Sequence, residues 1–244
     1  MDILDVSLPL PVDRLADITL AKGNHPIRSA GVCAMEAVAW LAGEPHSDAP
    51  QCACPMIRRI VITLNDRGDQ AMRDALRERL PRIVGTRGDK ALMRRRADEM
   101  LFLQLTTQFA TSCQLLADTP KFTDFAVRFR THAAELGALT REQGREPWRA
   151  AAQRARATVH ALRNAYADAY ADAYADAYAD AYAYADADAY ADAYADAYAD
   201  AYADAYADAP PDKRSEMRTA RLARALAILD AMLAIREDAP QAAP

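Results

Sequence analysis

Eight side chains able to bind a metal or move a proton lie within residues 25–54: His25, Cys33, Glu36, Glu44, His46, Asp48, Cys52 and Cys54. Cys33 and Glu36 stand three apart in a helical pattern and so share a face. A proline-flanked loop from Glu44 to Pro55 brings Cys52 and Cys54 back towards that helix. Two thiolates with a histidine or carboxylate complete a tetrahedral zinc site. The candidate ligands are therefore Cys33, Glu36, Cys52, Cys54 and His25, and the candidate cofactor is one structural zinc. No C-x-x-C pair reinforces that assignment. The same cluster fits a thiol nucleophile, with Cys33 or Cys52 attacking, His25 as base, and Glu36 or Asp48 orienting the imidazole. A plainer reading buries Cys33 as a small apolar residue, has Glu36 cap or pair locally, and has Asp48 bond loop amides.

Other signals are weaker. Arg67-Gly68-Asp69 and Arg87-Gly88-Asp89 spell an adhesion tripeptide, yet each suits a turn followed by a helix N-cap. Gly85 to Lys90 lacks the length of a phosphate-binding loop and the Ser/Thr that follows its lysine. Arg94-Arg95-Arg96 and the arginines from Arg141 to Arg163 read as solvated faces or as partners for acidic sequence further on. His132 and His160 are isolated helical histidines, and Met100 and Cys113 read as core.

The elements that must position these residues are helical. Apolar positions in 30–42 are too dense for strand alternation, and Gly43 sits where a C-cap falls. Pro55 suits the first turn of a helix running to about Leu64. Asp69 and Asp89 precede helical patterns, the second running from 89 to 117 with Leu92, Met100, Leu103, Leu115 and Leu116 available for a core. Further helices fit 121–136 and Pro147 onward. No stretch alternates with period two, so the expected class is all-α.

Residues 165–209 contain only Ala, Tyr and Asp, 23, 11 and 11 of each, and hold every tyrosine in the chain. The remaining 199 residues carry a net charge of +6. Alanine fills the odd positions while Tyr and Asp alternate on the even ones, with one phase slip at Tyr184 and Asp186. On a helix, residues two apart lie about 200° apart, so tyrosines form one stripe and aspartates nearly the opposite one. The four-residue period makes the stripe drift roughly 40° per repeat. A 45-residue helix would span about 67 Å. Pro210-Pro211 ends it, and a basic amphipathic helix follows. We expect that helix to fold back antiparallel on the repeat, with Leu222, Leu226, Leu229 and Leu233 covering tyrosines.

The segment from Gly23-Asn24-His25 to Gly85-Thr86 resembles a family of uncharacterised actinobacterial and phage proteins. The likeness rests on Cys33-Ala34-Met35-Glu36-Ala37-Val38-Ala39 and on Ala42-Gly43-Glu44-Pro45-His46-Ser47-Asp48-Ala49-Pro50-Gln51-Cys52. It continues through Cys54-Pro55, Asn65-Asp66 and Pro81-Arg82-Ile83-Val84-Gly85-Thr86. What the resemblance implies is architecture: a variable Ala-rich repeat and a short terminal amphipathic helix after the N-terminal domain. It brings no activity with it.

The expected organisation is a helical domain over 1–140, a basic lead-in over 141–164, the repeat over 165–209, an amphipathic helix over 212–236 and a disordered tail over 237–244. An acidic N-terminus without an apolar run, and sparse cysteines, point to a cytoplasmic protein with no membrane span. The −11 charge of the repeat opposes nucleic-acid binding. The expected function is a non-enzymatic binding or assembly protein. It would meet a protein partner or another copy of itself through the tyrosine stripe, as a coiled coil does. The alternative is a small enzyme or regulator built on the Cys/His/Glu cluster.

Overall fold

The computed structural model describes residues 8–165 and 211–236. Every regular element among them is helical, with no strand, so the chain is all-α. The expected repeat helix and the tail at 237–244 lie outside the described residues. The described residues divide into two compact units: 8–96 with 225–236, and 97–165 with 211–224. The division therefore falls at residue 96 rather than near 140.

The first unit is built on α1 (Ala34–Leu41), which is buried on every side from Ala34 to Trp40. That explains an apolar density too high for an amphipathic surface helix. It begins at Ala34 rather than Ala30 because Gly31 adopts φ +147° and Cys33 is extended. Gly43 ends it with φ +69°, donating its N–H to the Trp40 carbonyl at 3.1 Å. Around α1 pack α2 (Pro55–Arg67), α3 (Gln70–Arg77) and the single turn α4 (Leu80–Ile83). Their buried side chains include Ile57, Val61, Leu64, Leu76, Leu80 and Ile83. Pro55 occupies the first turn of α2 and Asp69 caps α3 by accepting the Met72 N–H at 2.9 Å, both as the sequence predicts. The α2 helix runs past Leu64 because Asn65 and Asp66 direct their side chains to distant backbone instead of capping locally.

The helix α5 (Lys90–Leu103) is capped by Asp89, which accepts the Leu92 N–H at 2.8 Å. The expected helix over 89–117 is interrupted by a π-helical stretch, Gln104–Phe109, before α6 (Ala110–Ala117). Three threonines attend that distortion. Thr106, Thr107 and Thr111 donate their hydroxyls to the carbonyls of Phe102, Leu103 and Thr107, four residues back, at 2.6–2.9 Å.

In the second unit α6 packs on α7 (Thr123–Gly137), and α7 on α8 (Arg145–Ala165). The core joins Phe102, Phe109, Cys113, Leu116, Phe129 and Trp148 among others. Phe102 and Trp148 lie with ring centroids 5.2 Å apart. Arginines read as solvated or reserved for the repeat are engaged within this unit. Arg141 pairs with Glu99 at 2.6 Å, Arg145 with Asp98, and Arg154 with Glu135. His132 shares a hydrogen bond with the Thr158 hydroxyl at 2.9 Å.

The last helix, α9 (Pro211–Ala234), belongs to the second unit up to Arg224 and to the first unit beyond it. Met217 packs against the core of the second unit. In the first unit Ile228, Leu229, Met232 and Leu233 are buried. Arg79 clamps Asp230 with two bonds of 2.8 Å, holding its carboxyl below the usual range. Leu229 and Leu233, expected to cover tyrosines of the repeat, are thus core residues of the first unit. Among the described residues no helix is long and apolar enough to cross a membrane.

Candidate functional site

The chemistry-bearing residues surround the N-terminus of α1. Glu36, 1% exposed, turns its carboxylate back over the start of its own helix. One oxygen accepts the His25 N–H at 2.6 Å. The other accepts the Cys33 N–H at 2.7 Å and the His25 Nδ1–H at 2.9 Å. Cys33 is the N-cap, its sulfur accepting the Glu36 N–H at 3.5 Å, so the pair form a reciprocal capping box. Burial pushes the Glu36 carboxyl upward, but the two amides and the imidazole outweigh it and hold it below its ordinary value. Local capping, the plainer sequence reading of Glu36, is what the structure shows.

His46 closes the other side. Its Nε2–H donates to the His25 carbonyl at 3.0 Å and stands 3.7 Å from Glu36, while Nδ1 is buried with no hydrogen-bond partner among the described residues. The loop between is held by Glu44, whose carboxylate accepts the amides of Gln51 at 2.5 Å and Cys52 at 2.7 Å. That role was expected of Asp48. Among the described residues none donates a hydrogen bond to the Asp48 carboxylate, and Ser47 takes the nearby amide of Ala49.

The three clustered thiols face different surroundings. Burial pushes Cys33 up to about 12. Burial also raises half-buried Cys52, beside Glu44. Cys54 is fully buried; its N–H donates to the Thr86 hydroxyl at 2.9 Å, and its thiol lies against the Arg96 guanidinium. All four cysteines are free. Among the described residues no three His, Cys, Asp or Glu side chains are arranged to hold a metal ion. The five candidate zinc ligands are thus parted: Glu36 bonds both Cys33 and His25, Cys52 sits in the Glu44 loop, and Cys54 sits against Arg96.

Three residues outside the candidate ligand set shape the site: Gly31, Asn65 and Arg96, the last buried where a solvated face was expected. Gly31 lies under the His25 ring, and a Cβ built there would stand 2.5 Å from Cδ2 and 2.6 Å from Nε2. Gly31→Ala is therefore expected to displace His25 from Glu36 and destabilise the first unit by about 1–3 kcal/mol. Urea unfolding measures this, and an unchanged midpoint would refute it. Buried Asn65 accepts the Ala34 N–H at 3.2 Å and donates to the Ala21 carbonyl at 2.9 Å. Arg96, 3% exposed, donates to the carbonyls of Thr86, Met232 (3.3 Å) and Ile235 (2.7 Å). Its burial was legible after all: Leu92, Arg96 and Met100 recur every fourth residue on one face of α5.

Beside this frame opens a cleft of about 130 Å³, lined by Gly23, Asn24, Cys33, Met35, Asp48, Ile62, Asn65 and Asp66. Compared with known proteins, the chain matches no family model, no curated protein and no solved structure.

Proposed function

We propose that the chain is a non-enzymatic binding and assembly protein that associates through its Tyr/Asp repeat. The observation that carries this reading is the engagement of the Cys/His/Glu cluster in building the fold. Glu36 caps α1, Cys33 caps it in return, and Glu44 ties the loop. A thiol held near 12 is not a nucleophile at neutral pH, which weighs against an enzyme built on Cys33. The repeat, by contrast, offers tyrosine on one stripe if it is helical, as its composition favours. Tyrosine is the residue type most suited to contact surfaces, apolar in body and polar at its tip. Four free thiols fit a cytoplasmic setting.

The test exchanges residues 165–209 for an Ala/Glu/Lys helix of equal length within the full chain. Sedimentation is expected to find the natural chain associated and the exchanged chain monomeric. A natural chain that stays monomeric at all concentrations would overturn the proposal.

A further inference from the structure

We propose that in the associated protein α9 is exchanged between copies, its last turns seating on the first unit of a second chain. The exchange rests on association through the repeat and adds what each copy then gives its neighbour. The seat itself is seen in the first unit. Ile228, Leu229, Met232 and Leu233 recur at the spacing of one helix face and are buried there. Beside them Asp230 takes two bonds of 2.8 Å from Arg79 and stands 3.7 Å from Arg82. Arg96 donates to the carbonyls of Met232 at 3.3 Å and Ile235 at 2.7 Å, at the negative end of the helix dipole. An apolar stripe with a charged pair to fix its register is how an amphipathic helix is recognised by a partner. Each copy carries the same seat and the same helix, so a neighbour's α9 makes every one of these contacts.

The path of the chain favours the neighbour's helix. Leu162 of α8 and Met217 of α9 pack into one core in the second unit, so the repeat leaves that core and the chain re-enters it. A unit of about 80 residues has a radius of gyration of about 12 Å. One straight helix of 45 residues carries the chain about 67 Å, well past the far side of such a unit. A lone Ala-rich helix is only partly formed and can double back, which lets a single chain close on itself. A helix packed along its length against another cannot. Two repeats packed antiparallel bring the end of each beside the start of the other, and there each α9 meets the other copy's fold. Below the associating concentration the tether holds a chain's own α9 at an effective concentration of about millimolar, and the seat closes within one copy.

The experiment uses the full chain carrying Arg79→Lys, which keeps the charge facing Asp230 and supplies an amine. Equal amounts of ¹⁵N-labelled and unlabelled chain are unfolded together in urea and refolded at a concentration where sedimentation finds association. A zero-length carbodiimide then joins the amine at position 79 to the Asp230 carboxylate, and mass spectrometry reads the joined peptides. About half are expected to pair a labelled with an unlabelled peptide, the share that random exchange between copies gives. The same mixture refolded at a concentration where it stays monomeric should give only like-labelled pairs. Like-labelled pairs alone from the associated protein would overturn the exchange and leave the association standing. No link between positions 79 and 230 in either form would overturn the seat. A chain that never associates fails the assembly reading, and the exchange with it, by sedimentation alone.

Discussion

Glu36→Gln is expected to lower the stability of the first unit by about 3 kcal/mol near neutral pH. The carboxylate takes three N–H donors at 2.6–2.9 Å in a place where water does not reach. Glutamine keeps the shape but presents one acceptor oxygen and an NH₂ group. At least one buried donor then meets another donor, at a cost of about 1–3 kcal/mol, and the charge-assisted part of the remaining bonds is lost. The pH profile gives the same answer with a sign. The folded-state pKa of Glu36 lies below the ordinary 4.5, so its contribution is fully present above that value. It is lost as the pH falls through the folded pKa. Asp230 and Glu135 are also held low and share the acid limb, so the informative quantity is the difference between natural chain and variant. Urea unfolding should show that gap near neutral pH and its narrowing in acid. A gap under about 1 kcal/mol, or one that widens in acid, would mean that Glu36 does not carry the start of α1.

Local signals were legible where a residue serves its own neighbours. Pro55 in the first turn of α2, Asp69 and Asp89 as caps and Gly43 past the end of α1 are all short-range stereochemistry. Helical periodicity likewise marked the all-α class. What escaped was long-range. Asn65 bonds residues 21 and 34, so its spacing to its partners follows no local pattern. Asp66 reaches Gly23 in the same way. Gly31 reads as an ordinary loop glycine until His25 is seen lying on it. The amides expected to meet Asp48 meet Glu44 instead, because both are acidic loop residues and only the path of the loop decides which carboxylate reaches them. The zinc reading rested on proximity in sequence, whereas the fold sends Cys52 and Cys54 to different surroundings.

Ending the chain after Arg224 is expected to unfold the first unit, although none of residues 8–96 is altered. Ile228, Leu229, Met232 and Leu233 are at most 3% exposed there. At about 1.5–3 kcal/mol for each buried side chain, their loss approaches the whole stability of a domain, about 5–15 kcal/mol. The Arg79–Asp230 clamp goes with them. So do two of the three carbonyls that satisfy Arg96, which leaves a buried guanidinium underpaired, a penalty that removing one partner of a buried charge brings. Thiol alkylation reads the outcome by unit. Cys33 and Cys54, 4% and 0% exposed in the first unit, should become reactive in the truncated chain. Cys113, fully buried in the second, reports separately on that unit. Continued protection of Cys33 and Cys54 would show that the first unit stands without α9. Their exposure would establish that the basic helix after the repeat completes the N-terminal fold. The Tyr/Asp repeat would then interrupt folded sequence rather than follow it, with α8 before it and the start of α9 after it, both part of the second unit.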